Sequence, residues 1–116
     1  MKVARLYAEG RDTTVQVSVT QTAGERMRGL LGRDDLASGE ALLLTRCGSV
    51  HTFGMRFSID VVFLDRRQQI VAIHYAVPKH RIVFSLRATE TLEMPAYSAR
   101  THGLAVGDQL VFEVLS

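Results

Sequence analysis

The stretch Cys47–Asp65, CGSVHTFGMRFSIDVVFLD, decides how the rest of the chain is read. Taken as extended backbone it alternates: Ser49, His51, Phe53, Met55 and Phe57 fall on one face, and Val50, Thr52, Gly54 and Arg56 on the other. After Ser58 the run Ile59-Asp60-Val61-Val62-Phe63-Leu64 is apolar at both parities apart from Asp60, the pattern of a strand covered on both sides. This predicts a hairpin at the centre of a β-rich core, with a histidine on its apolar face and one carboxylate set inside it.

Outward from that centre the chain is punctuated by turns. Lys2–Ala8 and Thr13–Thr20 alternate around Glu9-Gly10-Arg11-Asp12, which predicts a first hairpin with Val15, Val17 and Val19 facing inward. Thr22-Ala23-Gly24-Glu25 has the form of a capping box, and Ala23, Met27, Leu30 and Leu31 make a stripe at helical spacing that Gly32 would end. This is the only long helix expected. Ala41–Leu44, Gln69–Tyr75, Ile82–Phe84, Thr91–Met94 and Gln109–Leu115 are further strand candidates, with Pro95 closing the fourth of these. Ser98–His102 is expected to form a single helical turn closed by Gly103. Many short strands and one helix predict a mainly β fold, an antiparallel barrel or sandwich with one α-helix packed at an end, spanning residues 1–116 as one domain.

Composition narrows the function classes. An apolar fraction of 47% and a charged fraction of 22% are those of an ordinary globular protein, and no run approaches bilayer-spanning length. The start, MKVARLYAEG, lacks the apolar stretch and small-residue cleavage site of a secretory signal, and a single cysteine suits a reducing compartment, so a cytoplasmic location is expected. Net charge is only +2, with the arginines spread along the chain. Arg26, Arg28 and Arg33 form the densest group, and they read as a solvated helix face, not a nucleic-acid footprint.

Several segments together carry a family resemblance: Glu25-Arg26, Gly29-Leu30-Leu31 and Arg33, then Val50-His51-Thr52-Phe53-Gly54-Met55, Asp60-Val61-Val62-Phe63-Leu64-Asp65 and Leu92-Glu93-Met94-Pro95-Ala96. In this order and spacing they resemble the bacterial and archaeal family catalogued as domain of unknown function one-nine-two, from about Val15 to the closing strand. The resemblance implies a compact, mostly antiparallel β-domain with one helix, and it implies no catalytic role for any residue. Where members often have glycine after the Leu-Glu-x-Pro-Ala segment, this chain has Tyr97, so a different local turn is expected there, with Tyr97 filling part of any adjoining groove.

Three sets of side chains bear on chemistry. Cys47, His51 and Met55 are types that bind soft metals, but four residues of strand span about 13 Å, too far for ligands of one ion. The same geometry separates Cys47 from His51 as nucleophile and base, so no metal and no cofactor is expected, and His74, His80 and His102 show no pattern that would complete a site. Asp60 and Glu93 are carboxylates flanked by apolar residues, for which Arg33, Arg26 and His51 are the natural partners. Glycine-rich phosphate loops, paired-cysteine zinc motifs and a serine nucleophile elbow are all absent from the sequence.

Two function classes follow. One is a non-enzymatic binding module, its groove near His51 lined by Arg33, His51, Phe53, Met55 and Glu93, taking a small anionic ligand or a peptide segment, with Asp60 and Arg26 in a structural polar cluster. The other is a small acid–base enzyme of hydrolase type using His51 with Asp60 or Glu93. On either reading no nucleic-acid or membrane partner is expected, and the chain would act as a monomer or weak dimer.

Overall fold

The computed structural model describes residues 1–115. The N-terminal alternation produces β1 (Lys2–Ala8) and β2 (Arg11–Val19), an antiparallel pair whose turn residues Glu9 and Gly10 both have positive φ, 51° and 76°, as a tight hairpin with right-handed strand twist requires. Val15 and Val17 are fully buried and Val19 half-buried. The chain continues through α1 (Ala23–Arg28), β3 (Glu40–Leu44), β4 (Ser49–His51), β5 (Ile59–Leu64), β6 (Ile70–Val77), β7 (Ile82–Phe84), β8 (Glu90–Pro95), α2 (Ser98–Thr101) and β9 (Leu110–Leu115).

Seven strands form one sheet in the order β6-β5-β8-β3-β2-β1-β9. All neighbours are antiparallel except β2 and β3, which α1 joins as a parallel pair. The sheet curls until its two edges touch at a Gln69–Gln109 bridge, with Leu110 N–H donating to Gln68 O at 3.0 Å. It is not closed into a barrel; a sandwich-like packing over a curled sheet describes it. The mainly β expectation holds: the helical turn expected at Ser98 forms as α2, and β2–β3 is the one parallel pair in an otherwise antiparallel sheet.

The central hairpin is also corrected. β4 pairs with β7 in a separate two-stranded ribbon, while β5 lies between β6 and β8. The alternation of the Cys47–Asp65 stretch breaks at a turn in which Met55 N–H donates to Thr52 O at 3.1 Å and Gly54 takes φ 81°. Parity therefore reverses across the turn: Val50, Thr52 and Met55 are buried, and His51 and Phe53 are exposed.

β3, β5 and β8 are covered on both faces, as the unbroken apolar run of β5 predicts. Ala41, Leu43, Val62, Leu64, Leu92 and Met94 enter the concave core with Leu6, Val15 and Leu110. Leu42, Leu44, Ile59, Val61 and Phe63 pack on the convex side under Leu30, Leu36, Val50 and Met55.

Helix α1 is shorter than its stripe predicts. The capping box forms: Thr22 Oγ1 accepts from Glu25 N–H at 3.1 Å, and Glu25 Oε1 accepts from the Gln21 and Thr22 N–H groups at 2.6 and 3.3 Å. These bonds and the chain's own ammonium group hold the Glu25 carboxyl below the usual carboxylate range. The helix then ends at Gly29, φ 48°, not at Gly32, and no residue within it is buried. Met27 is 79% exposed, and Leu30 reaches the core only because the chain has already left the helix.

Asp60 is fully buried without an arginine partner, another correction. Its Oδ1 accepts from Ala76 and Tyr97 N–H, both at 2.8 Å, and its Oδ2 from Ala99 N–H at 2.9 Å. The carboxylate thus ties β6 and the start of α2 to β5 through backbone donors, a strongly satisfied arrangement for a buried anion. Tyr97 adopts φ 65°, the left-handed turn glycine takes without steric cost, and its ring is 57% exposed.

Thr22→Ala is expected to lower stability by about 1 kcal/mol in urea denaturation, the usual cost of losing such a cap. Asp60→Ala leaves three buried or half-buried N–H groups without their acceptor and is expected to cost about 3 kcal/mol or more; a loss under about 1 kcal/mol would contradict the structural role given to it.

Candidate functional site

On the convex side, between α1 and β4, lies a cavity of about 330 Å³. Its floor is the outer face of the sheet, Leu44 of β3 and Glu93 of β8. One wall is α1 with Gly29, Leu30 and Leu31; the other is Arg46–Cys47, β4 and Met55. Each wall depends on a glycine. At Gly29 the chain leaves α1 with a Cβ position 3.8 Å from Glu93 Oε1, so it passes directly over that carboxyl. At Gly48 a Cβ would meet Ala88 O at 2.8 Å, and the close approach pins the segment, with Cys47 N–H donating to Thr89 O and Ser85 N–H to Gly48 O.

Glu93 is the group in this cavity that the fold leaves unsatisfied. It is 4% exposed, and among the described residues its Oε1 has no hydrogen-bond partner and no arginine lies in ion-pair range. The expected pairing with Arg33, Arg26 or His51 does not form. Burial alone raises its pKa to about 7.

The positive charge sits elsewhere. Arg26, Arg28 and Arg46 line the cavity, and none has a carboxylate within 4.0 Å among the described residues. Arg28 and Arg46 are exposed, while Arg26 is half-buried with Nη1 3.4 Å from Thr45 Oγ1.

Of the residues singled out from sequence, His51, Met55 and Glu93 line this cavity and Arg33 and Phe53 do not. Arg33 is exposed, 3.9 Å from Glu40. Phe53 packs between His51 and His80, with ring centroids 6.0 and 5.7 Å apart. Tyr97 also lies outside it. Asp60 and Glu93 occupy opposite faces of the sheet: in the β5–β8 ladder Asp60 pairs with Met94, and Glu93 with Val61. His51, Asp60 and Glu93 therefore cannot form one constellation.

Cys47, His51 and Met55 do border the same cavity, because the turn at Thr52–Gly54 folds the stretch back. The thiol donates to Ser49 O at 2.9 Å, not to the imidazole, and among the described residues no three His, Cys, Asp or Glu side chains are placed to hold a metal ion. Arg46 and Arg28 were not selected from sequence as site residues. For Arg46 the available signal was its position two residues after the buried run Ala41–Leu44, where a charged residue must leave the sheet.

The curled sheet with its helical wall is a known architecture. It matches the crystal structure of a protein of unknown function from Novosphingobium aromaticivorans DSM 12444 with a TM-score of 0.80 at 16% identity, over 94% of this chain and 84% of that one. It also matches a protein from Sinorhizobium meliloti 1021, provisionally described as a transcription regulator, with a TM-score of 0.80 at 22% identity, over 96% and 92% of the two chains. At these identities the likeness concerns the fold. In sequence, residues 4–112 match the model of the DUF192 family, Uncharacterized ACR, and the chain belongs to this family. A UPF0127 protein of Thermococcus sibiricus is 30% identical over 110 residues, covering 91% of this chain and 71% of that protein.

The raised pKa of Glu93 makes a signed prediction. In the unfolded chain the carboxyl ionises near 4.5, but in the fold only near 7, so the native state holds the proton more tightly. Stability is then unpenalised below about pH 4.5, falls as pH rises towards 7 and stays low above it, by on the order of 3 kcal/mol at the limit. Glu93→Gln is expected to abolish this slope and to melt higher than the parent at pH 8, with little difference at pH 4.5; equal pH slopes would contradict the assignment.

Proposed function

We propose that this protein is a binding module whose site is the cavity between α1 and β4, taking a small anionic ligand or the end of a peptide segment. The observation that carries the reading is the combination of apolar walls, Leu30, Leu44, Val50 and Met55, with three arginines that have no carboxylate partner among the described residues. A cavity of about 330 Å³ lies at the small end of ligand pockets, and a few polar groups in an apolar lining are their usual make-up. Cationic side chains left unpaired around such a mouth attract anions and raise their rate of encounter. Arg26, Arg28 and Arg46 take the place that sequence reasoning gave to Arg33, while His51 and Met55 remain lining residues. In this reading the chain works in the cytoplasm as a monomer or weak dimer; the free thiol of Cys47 is in keeping with a reducing compartment.

The acid–base alternative keeps one supporting observation, that Glu93, with its pKa raised to about 7, borders the same cavity as His51. It loses Asp60, which faces the opposite core. Hydrolysis of an activated ester that disappears in both His51→Ala and Glu93→Gln would favour this alternative over simple binding.

For the binding reading, a panel of C4 to C8 carboxylates screened by thermal shift is expected to raise the melting temperature, since a ligand that binds only the folded state stabilises it. Arg46→Ala should weaken that binding about fivefold or more without lowering the melting temperature of the free protein, and added salt should weaken it further. Binding that is indifferent to Arg46 and to salt would count against an anion site.

A further inference from the structure

The unpartnered carboxyl of Glu93 and the unpaired arginines are separated within one cavity, and the separation limits what can fill both ends. Glu93 is on the floor at 4% exposure, with Oε1 sealed from solvent beside Gly29. Arg28 and Arg46 are exposed at the mouth, and no arginine approaches Glu93 within ion-pair distance. Leu30, Leu44, Val50 and Met55 line the same cavity.

Building on the binding reading above, we infer that the ligand is two-headed: an ω-amino carboxylate whose ammonium meets Glu93 at the floor and whose carboxylate lies among Arg28 and Arg46, with an apolar spacer between. The reasoning runs from unsatisfied groups. An ionised carboxylate offers acceptors only, and a buried one without a donor is costly to keep. The protein supplies no cation to Glu93, so a cation entering from the ligand is the partner that recovers most of that cost, by a charge-assisted hydrogen bond. A simple anion would satisfy the mouth and leave the floor as it is. A simple amine would satisfy the floor and be repelled at the mouth.

The burial that favours the protonated form of Glu93 adds a second signature. An ammonium arriving at the floor stabilises the ionised carboxylate, so binding near pH 7 releases a proton from Glu93. The other titratable groups bordering the cavity are Cys47 and His51, besides the three arginines, so the proton count is compared with a His51→Gln control.

The test is isothermal titration of the full chain with 4-aminobutanoate, 6-aminohexanoate and 8-aminooctanoate, with hexanoate and hexylamine as the single-headed probes, in two buffers of different ionisation enthalpy. At least one amino acid of the series is expected to bind tenfold or more tighter than hexanoate and than hexylamine, with proton release. E93Q should weaken that ligand tenfold or more and remove the proton release; release that persists in E93Q but is lost in His51→Gln would assign the proton to the imidazole and overturn the inference. Hexanoate binding as tightly as the amino acids, still dependent on Arg46, would overturn the two-headed ligand while leaving the anion site standing. Arginine-independent binding of hexylamine at the strength of the amino acids would overturn the two-headed ligand as well. No binding by any probe would overturn the inference and, with the carboxylate panel also silent, the anion-site reading beneath it. Because the proton count is read on the unaltered protein, a poorly folding E93Q does not remove the test.

Discussion

Burial of β3, β5 and β8 on both faces is the constraint on which the rest of the molecule depends. When a strand has a core on each side, the side-chain period of two assigns every residue to one core or the other, and a polar residue gains or loses its partners by parity alone. Asp60 and Glu93 show both outcomes. Asp60 takes the concave parity near the start of β5, where three backbone N–H groups converge on it. Glu93 takes the convex parity in the middle of β8, beneath a segment that passes over it at Gly29 and offers no donor. One carboxyl is a structural tie, and the other is an unsatisfied group at the bottom of a cavity.

That difference explains what was legible in the sequence. The hairpin of β1 and β2, the two-sided burial of β5, the capping box at Thr22 and the helical turn near Ser98 depend on local patterns and turn chemistry, and they were read with their essential residues. The DUF192 resemblance agreed with them. The pairing of Cys47–Asp65 was not legible, because alternation predicts an extended segment but does not specify its neighbour, and the partner of β4 lies about thirty residues away in β7. The early stop of α1 had a signal, Gly29, that competed with an equally good stop at Gly32; a stripe that continues past the first glycine favours the second until tertiary contacts decide.

The candidate site was legible in part. His51, Met55 and Glu93 stood out as polar or soft groups within apolar runs, and all three border the cavity. Placing Asp60 with them failed because flanking by apolar residues shows burial but not which core, and the two carboxylates belong to different strands whose register a single sequence does not contain. Arginines follow the opposite logic. Arg28 and Arg46 stand out at the cavity through the absence of carboxylate partners among the described residues, and a missing contact has no trace in sequence.

The two walls of the cavity are held by different physics, and under the binding reading proposed above this bears on selectivity. The floor and the Arg46–His51 wall are fixed by buried side chains, by the contact of Gly48 with Ala88 and by the Thr91 hydroxyl donating to Cys47 O at 2.8 Å. Helix α1 buries no residue and is held by its caps and by the contact of the chain's ammonium group with Glu25. Elements with few buried contacts open at the least free-energy cost, so the helical wall is the one a ligand can displace. Adaptation at that wall would change the spacing of Arg26 and Arg28, which in that reading select for charge and not for shape. In the same reading, discrimination of size and of hydrogen-bonding pattern would fall to the rigid part of the cavity lining, Leu44, Val50, Met55 and the carboxyl of Glu93.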